Sequence, residues 1–540
     1  MSLASALAPA QDVESMIART ALKYDLLPYT SNPFPQTQPA RLAAIAHLFG
    51  LPYAPVEHAK VLELGCAAGG NIIPLASRFP DARFVGVDLS RTQVAAGRAR
   101  IKDADLANIE IHCKSFTELG AEDGQFDYII CHGVYSWVPG PVREAILRIC
   151  KERLSDVGIA NISYNVLPGW RTLQALRDSF LLHVPDNNDS RSRVAKAREL
   201  LAFLKDATHD TGVHKQNLQL WADRLAQLPD DYIAHEFLEE TNEPCTFMNF
   251  VDAARRNGLG YLGESDLASV ILDNLPAETA KRVRDISNNQ FLAAEQYVDM
   301  LNGRTFRQSL LVDAQRAALI NRNLSPAALA PLHFLTVAGM QLEHGQDGSS
   351  TLRDAQGRTV TTKASPLINV LERIASAFPG SFCLEDLYSI LPAAARNETG
   401  RALVLEVVFK MVTTGILTAL AAPVEAQTSA AGDRPVAFAI ARLDASRGET
   451  TTTSLRHEKV RIDPFAQAIL PLLDGVNDKA AIHAGVESAL AQGRLTFHRD
   501  GKPMPAPEAN AFVPELVDQM MLTFANAALL ARETTGSARA

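Results

Sequence analysis

The residues best suited to chemistry form a glycine turn with an acid before it, in positions 61–70, VLELGCAAGG. Gly65 allows a tight turn after a short apolar run, and Gly69 and Gly70 allow a ligand to lie against the main chain near a helix N-terminus. Glu63 places a carboxyl group just before the turn. The loop has neither the G-x-G-x-x-G spacing of a dinucleotide fold nor a P-loop lysine, so phosphate binding is not its predicted task.

A second acid supports a ligand site at this turn. Asp88 ends the apolar run FVGVDL, roughly 20 residues after the glycines, where an acid can accept hydrogen bonds from both hydroxyls of a ribose. The glycine turn and Asp88 together therefore favour a ligand that carries a sugar diol.

The elements that must position these residues alternate between strand and helix. The predicted strands are 60–64, 84–89, 109–113, 126–132 and 158–164, and the predicted helices are 69–79, 90–101 and 141–154. Ser90 is the predicted N-cap of the second helix, and a proline begins the third. Strands that alternate with helices imply an α/β fold with a mainly parallel sheet covered on both faces.

Beyond Trp170 the pattern becomes helical, in 171–183, 192–207 and 214–228. Residues 243–265 then return to a helix, a glycine stop and a short apolar run. Either this segment adds one more unit to the same sheet, which makes 171–231 an insertion over the carboxyl ends of the strands, or everything after Trp170 is a separate helical domain. The pattern leaves both alternatives open.

The last third of the chain mixes helical segments with polar breaks. Helices are predicted at 365–377 and 403–414, long loops or a hairpin at 344–364 and 422–435, a break at 499–510 and a disordered tail at 533–540.

Composition excludes several classes of protein. A chain of 540 residues with 47% hydrophobic residues predicts two or three domains, and a net charge of −9 argues against a nucleic-acid partner. Six cysteines without paired metal-ligand spacing predict a reducing compartment and no metal site. The sequence shows neither a signal peptide nor an apolar run that could insert into a membrane, so we expect a cytoplasmic protein.

The motif E-x-G-x-x-x-G after a strand resembles motif I of class I methyltransferases, which bind S-adenosylmethionine (SAM) in a Rossmann-like domain. The segments after the third and fourth predicted strands, CKSFTEL and CHGVYSWVP, fit the same family. An N-terminal strap, which carries Pro28, Pro33, Pro35 and Pro39, would cover the methionine part of SAM. The resemblance implies that the cofactor is held by Tyr29, Glu63, Gly65, Cys66, Ala67, Gly69, Asn71, Asp88, Leu89, Ser115, Phe116 and His132.

A narrower resemblance covers more of the chain. Segments 24–51, 163–170, 235–267 and 295–311 are similar to methyltransferases with a methyltransferase regulatory region, and 472–482 is similar to part of a winged-helix-like domain. Bacterial lysine methyltransferases of outer-membrane proteins share this architecture. Gln38 departs from the pattern, because histidine is expected there in many relatives. The implied division is a SAM domain at 1–170, a mainly helical insertion and regulatory region at 171–311, a connecting segment at 312–364 and a winged-helix-like domain at 365–540.

Methyl transfer from a sulfonium is an in-line displacement, which requires alignment and desolvation but no metal. Tyr135, Trp137 and Tyr164 follow the fourth and fifth predicted strands, where an acceptor pocket should form, and are the predicted catalytic residues. Each has an alternative role in packing, and Trp137 could instead plug the sheet together with Trp170. His132 is either a general base or, more simply, a packed histidine. The pair His235 and Glu236 could orient an amine or cap an element.

Three functions remain open from the sequence. The first is a methyltransferase that modifies protein lysines, the second is a small-molecule methyltransferase, and the third is a SAM-binding regulatory protein without catalysis. The third would use its C-terminal domain to bind DNA or protein, but the basic residues of 442–461 are interrupted by acids. The sequence does not fix the oligomeric state.

Overall fold

A computed structural model describes residues 21–22, 24–25, 28–185, 190–209, 211–427, 432–499 and 501–532. The predicted disordered tail and the N-terminal residues that bear on a signal peptide lie outside these ranges. None of the helices formed by the described residues has the length and apolar character needed to cross a membrane.

The largest sheet has eight strands, and the described residues up to Asp313 are built around it. Its order is β3-β2-β1-β4-β5-β8-β7, and the short strand β6 pairs with the end of β5. The pairs among β1 to β5 are parallel, whereas β8 runs antiparallel to both β5 and β7. The strands are β1 (Lys60–Leu64), β2 (Arg83–Asp88), β3 (Ile109–Cys113), β4 (Phe126–Cys131), β5 (Leu154–Leu167), β6 (Cys245–Thr246), β7 (Leu259–Glu264) and β8 (Phe306–Asp313).

Helices cover both faces of this sheet, as the alternating pattern predicts. Ser90 caps the helix that follows β2 by accepting a hydrogen bond from the Gln93 amide at 3.2 Å, which confirms the predicted N-cap. The covering helices are Pro39–Leu48, Ile72–Arg78, Arg91–Asp103, Gly140–Arg153, Phe247–Arg256, Phe291–Asn302 and Ala314–Ala317. Helix Ala277–Ile286 packs against Phe291–Asn302 in a small separate apolar cluster.

Strands β7 and β8 decide between the two alternatives for the chain after Trp170. Both strands pair within the sheet, so the alternative of a separate helical domain is wrong. The sequence could not decide this, because antiparallel pairing between distant segments leaves no local signal. The helices Arg171–His183, Ser190–Ala207, Val213–Leu225 and Asp230–Phe237 form the insertion and pack around their own apolar cluster. The boundaries predicted at 170 and 311 stay predictions.

The rest of the chain contains two further groups of elements. Strands β9 (His333–Leu335), β13 (Ser381–Cys383) and β14 (Thr418–Leu420) form a small sheet with helices Ser365–Ala375, Leu384–Ser389 and Glu398–Thr413. Where a long loop or hairpin was predicted, β10 (Gln341–His344), β11 (Ser350–Arg353) and β12 (Thr359–Thr362) form an antiparallel meander.

The C-terminal group begins after residue 432. It contains the hairpins β15 (Thr451–Thr453) with β16 (Lys459–Arg461) and β17 (His498–Arg499) with β18 (Lys502–Pro503), and helices Ala439–Ser446, Pro464–Ile469, Lys479–Ala491, Ala506–Asn510 and Val513–Asn526. The predicted break at 499–510 is therefore partly wrong, because the second hairpin and a short helix occupy it. The apolar core of this group is continuous with the core under β1 and β2.

Candidate active site

The glycine loop turns back directly after β1. Gly65 and Gly69 have φ angles of 75° and 76°, in the left-handed region that favours glycine. A Cβ built on Gly65 would lie 2.5 Å from a Val134 methyl carbon, and one built on Gly69 would lie 2.7 Å from Ile73 at the helix start. Both positions therefore require glycine for the shape of the loop itself.

Glu63, the second-last residue of β1, is a buried carboxyl group with one partner. Its Oε1 accepts a hydrogen bond from Asn71 Nδ2 at 2.8 Å, whereas its buried Oε2 has no hydrogen-bond partner among the described residues. Burial raises the pKa of Glu63 to about 8, opposed by the Asn71 hydrogen bond, and the Asp88 charge raises it further. An unpaired buried oxygen of this kind is suited to a ligand donor.

Asp88 lies at the end of β2 and faces the same loop. Its Oδ2 accepts from the Ala67 amide and its Oδ1 from the Ser90 amide, each at 2.9 Å. These two bonds fix the carboxylate, and each oxygen retains capacity for a second donor. Burial is the largest cause of the raised pKa of Asp88.

The predicted residues after β3 and β4 pack near the glycine loop and the N-terminal segment. Ser115 caps the short helix Phe116–Glu118, and the Phe116 ring lies 3.9 Å from a Cβ built on Gly65. His132 packs against Phe34, with 4.1 Å between ring centroids. Leu89 continues the chain past Asp88, and the Leu89 carbonyl accepts from the Cys113 thiol at 3.6 Å.

His132 is neutral in this environment, because desolvation lowers its pKa to about 4. Its buried Nδ1 has no hydrogen-bond partner in the described part of the chain. Cys66 is buried next to Gly86, and burial raises the pKa of the Cys66 thiol well above its ordinary value. Neither group offers a thiolate or an imidazolium to the cleft.

The N-terminal strap contacts the loop and the insertion at the same time. Ser31 Oγ accepts from the Gly70 amide at 2.7 Å, and the Tyr29 carbonyl accepts from Gln93 Nε2 at 2.8 Å. The rings of Tyr24 and Tyr29 lie 5.0 and 5.3 Å from the His235 ring on the insertion helix Asp230–Phe237. The strap therefore contacts both the cofactor loop and the insertion, and the contact of Tyr29 with SAM stays a prediction.

The three predicted catalytic residues differ in their surroundings. Tyr164 is 1% exposed, its ring stacks on Phe250 at 4.1 Å, and its hydroxyl is hydrogen-bonded to Ser309 at 3.0 Å. Tyr135 meets Phe250 edge to face at 5.4 Å and is 4% exposed. Burial raises the pKa of both phenols.

Trp137 lies beside Trp170, with 6.4 Å between ring centroids, and the guanidinium of Arg177 lies 6.0 Å from its ring. Both indoles contact the apolar cluster of the insertion. The packing role that competes with a substrate role for Trp137 is therefore observed, and its catalytic role stays a prediction.

The comparisons with known proteins agree along most of the chain. Three family models match: a methyltransferase domain at 61–158, a predicted methyltransferase regulatory domain at 229–313 and the PKMT C-terminal winged helix domain at 433–529. Protein RP789 of Rickettsia prowazekii is 32% identical over 522 residues, which cover 94% of this chain and 93% of that protein. The chain belongs to this family of SAM-dependent methyltransferases.

Other relatives of this methyltransferase match in part or in full. Protein RP028 of R. prowazekii is 37% identical over 243 residues, which cover 45% of this chain and 97% of that protein. The structure of PKMT2 from Rickettsia typhi in complex with AdoHcy matches with a TM-score of 0.81 and 27% identity, over 93% of this chain and 100% of that one.

The cleft of the methyltransferase fits SAM as its methyl donor. The unpaired oxygen of Glu63 and the free capacity of Asp88 provide acceptors for an ammonium group and for ribose hydroxyls. Gly133, at φ 71°, leaves open space where a Cβ would lie. The described residues bring together no group of three or more His, Cys, Asp or Glu side chains that could hold a metal ion.

Sequence reasoning missed several residues that build this cleft. Asn71 Oδ1 accepts from the Phe34 amide at 2.9 Å and from His457 Nε2 at 2.8 Å, and Asn71 Nδ2 donates to Thr37 Oγ1 at 3.0 Å. Thr37 and Phe34 lie in the strap segment that resembles the family, which is a usable signal. His457 is 386 positions away from Asn71 and carries no local signal.

Proposed function

We propose that this methyltransferase transfers methyl groups from SAM to lysine side chains of a protein substrate. The observation that carries the proposal is the full-length similarity to PKMT2, a protein lysine methyltransferase, together with the match to the PKMT winged helix domain.

The cofactor residues predicted from the sequence are part of the proposal. SAM supplies a methyl group on a positively charged sulfur. Glu63 and Asp88 accept hydrogen bonds from its polar ends, while Ser115 and Phe116 border the adenine and His132 with Phe34 closes the methionine side. The loop residues Gly65, Cys66, Ala67 and Gly69, with Leu89 and Tyr29, complete the contact.

For the acceptor, the chain must align a lysine amine and keep water away. We propose that Tyr135 and Trp137 border the amine, and that Tyr164 supports them from the packed interior through its bond to Ser309. Glu236 lies on the helix that contacts the strap, and burial raises its pKa to about 7, opposed by Arg177. A carboxyl group that titrates near neutrality can take a proton from a lysine ammonium whose own pKa is lowered by the same desolvation.

We further propose that the substrate is an outer-membrane or other surface protein, methylated in the cytoplasm before export. The support is the resemblance to bacterial lysine methyltransferases of such proteins. No nucleic-acid partner is proposed, because the chain carries a net charge of −9.

The test is methylation of a cell-envelope protein fraction with tritiated SAM. We expect the label in protein, resistant to base treatment that cleaves methyl esters, and absent when the lysines of the fraction are acetylated beforehand. Mass spectrometry then locates the modified lysines.

The matched control is Asp88→Ala, which removes the proposed ribose acceptor and should weaken SAM binding by about 1.5–3 kcal/mol. Label confined to small solutes would instead support the small-molecule alternative. SAM binding without any transfer would support the regulatory alternative.

A further inference from the structure

One residue of the C-terminal winged helix domain reaches the proposed cofactor loop. His457 lies in the turn of the hairpin β15–β16, is 2% exposed, and places its Nε2 2.8 Å from Asn71 Oδ1. Asn71 begins the helix that follows the glycine loop. The contact joins two parts of the chain that are matched by different family models.

The orientation of the Asn71 amide follows from its partners. The backbone N–H of Phe34 can only donate, so the atom that it contacts at 2.9 Å is the amide oxygen. Asn71 Nδ2 then faces Glu63 Oε1 at 2.8 Å. Because His457 contacts that same amide oxygen, the imidazole must present Nε2–H as a donor.

The protonation state of His457 is consistent with this arrangement. Burial, and to a lesser degree the charge of Arg78, lowers the pKa of His457 to about 3. The ring is therefore neutral across the working range of the protein, and one nitrogen carries the hydrogen that Asn71 receives.

The hairpin turn is held from several sides. His457 has φ 64°, and its amide donates to the Ser454 carbonyl at 2.8 Å. The Arg456 guanidinium donates to the carbonyls of Thr336 and Pro379 at 2.7 and 3.1 Å, and Gln38 Nε2 donates to the Arg456 carbonyl at 3.1 Å. A left-handed residue that is not glycine persists only where its surroundings hold it, so the turn is built to present this side chain.

We propose that His457 is a positioning residue for the SAM site: it fixes the Asn71 amide, which holds Glu63, so that the C-terminal domain completes the cofactor loop. This inference rests on the proposed cofactor roles of Glu63 and Asn71. It assigns to the winged helix domain a task within the reaction itself, in addition to any contact with the protein substrate.

The same interface supplies a matched control contact. The ion pair between Arg447 and Asp103 also joins the C-terminal group to the first domain, but it is partly exposed, and neither residue is among the hydrogen-bond partners of Asn71 in the described part of the chain. Removing this pair weakens the same interface without changing His457. It therefore tests whether SAM affinity depends on the interface in general or on the histidine itself.

The experiment compares two substitutions of similar length. His457→Gln keeps an N–H donor and His457→Met does not, while both retain the Cβ at the strained φ. We expect His457→Met to weaken SAM and AdoHcy binding in calorimetry by about tenfold, as for one lost buried hydrogen bond. His457→Gln and Arg447→Ala should stay within about twofold of the unchanged protein.

A kinetic split and a rescue separate positioning from general stability. His457→Met should raise the KM for SAM with kcat within about twofold, because the loop loses binding and the acceptor side is untouched. In His457→Gly, which removes the backbone strain, added imidazole should restore SAM affinity. A packing role would give no difference between Gln and Met and no rescue by imidazole.

Asn71→Ala separates the proposed role of the cofactor loop from the proposed role of His457. If Asn71→Ala keeps its SAM affinity, the proposed cofactor loop is wrong. If Asn71→Ala loses affinity while His457→Met keeps it, the loop stands and only the role of His457 is overturned.

Discussion

Two buried acids at strand ends of the same sheet have opposite surroundings. Glu264 ends β7, and its Oε1 accepts from Arg307, Ser309 and Tyr261 at 2.7, 2.7 and 3.0 Å, while its Oε2 accepts from the Gln308 amide at 2.9 Å. Glu63 lies one residue before the end of β1 and has one oxygen without a partner among the described residues.

The difference separates a structural acid from a binding acid. A buried polar atom without a partner costs free energy, and folded proteins retain few of them. The antiparallel side of the sheet satisfies its acids internally through Arg307, so they stabilise the fold. The parallel side leaves an acceptor open at the carboxyl edge, where ligands bind in such sheets.

The largest effect is expected on the antiparallel side of the sheet, where Arg307 pairs with the buried acids. Arg307 is 1% exposed and bonds Glu264, Glu295 and Asp299 in one cluster, with the Phe247 ring 4.1 Å from the guanidinium carbon. Arg307→Ala leaves three buried carboxyl groups without this cation, and we expect a loss of about 3–5 kcal/mol in the free energy of unfolding. Faster hydrogen exchange of the β8 amides would measure it.

The control for this prediction is an exposed pair. Arg284→Ala removes an ion pair with Asp273 in which both side chains are exposed, and it should change the free energy of unfolding by less than about 1 kcal/mol. Equal effects of the two substitutions would show that the Arg307 cluster contributes no more than a surface ion pair.

A smaller effect on stability comes from Glu63, and it depends on pH. The pKa of Glu63 is raised from 4.5 to about 8, so the folded protein holds a proton that the unfolded chain releases. Between these values folding takes up a proton, and the free energy of unfolding falls as pH rises. Glu63→Gln should remove this slope and become the more stable protein toward pH 8.

Calorimetry of SAM binding sharpens the same point. A cationic ligand near Glu63 favours the carboxylate, so binding near pH 7 should release a proton in the unchanged protein. Binding enthalpies measured in two buffers of different ionisation enthalpy should therefore differ. The same measurement on Glu63→Gln should show no release from this site, and proton release that survives the substitution would place the titrating group elsewhere.

The parallel half of the sheet was predictable because its signals are local. Strand β1 has the predicted bounds 60–64, since the glycine turn stops it, and Ser90 caps its helix as predicted. Motif I and the family resemblance then placed Glu63 and Asp88 at the ligand edge. Such features depend on neighbours in sequence, which a single chain reveals.

The antiparallel half was not predictable in the same way. The position of β8 between β5 and β7 depends on pairing between segments about 150 positions apart, as in Tyr164 opposite Arg307. The contact of His457 with Asn71 joins residues that are still further apart in the sequence, by 386 positions. Arg307 lies within the segment that resembles the end of the regulatory region, but its three carboxyl partners become neighbours only when the sheet is closed.

The smallest expected effects concern the tyrosines, and they show whether Tyr164 serves the Glu264 network or methyl transfer. Its hydroxyl is bonded to Ser309, which itself donates to Glu264, so it extends the satisfied network. Tyr164→Phe should lower the free energy of unfolding by about 1 kcal/mol, as for one buried hydrogen bond, and lower turnover with little change in SAM affinity. Tyr135→Phe should lower turnover with less change in stability, because its hydroxyl has no comparable network among the residues that the structure describes.

His132→Asn should be milder than either tyrosine substitution, because His132 is neutral, packed against Phe34 and not required as a base in a displacement that depends on alignment. Methyl transfer, SAM affinity and stability measured together on the three variants separate the roles. If His132→Asn abolished transfer while both tyrosine variants kept it, the histidine would be the base. The acceptor pocket would then lie beside Phe34 of the strap, at the carboxyl edge of the parallel strands.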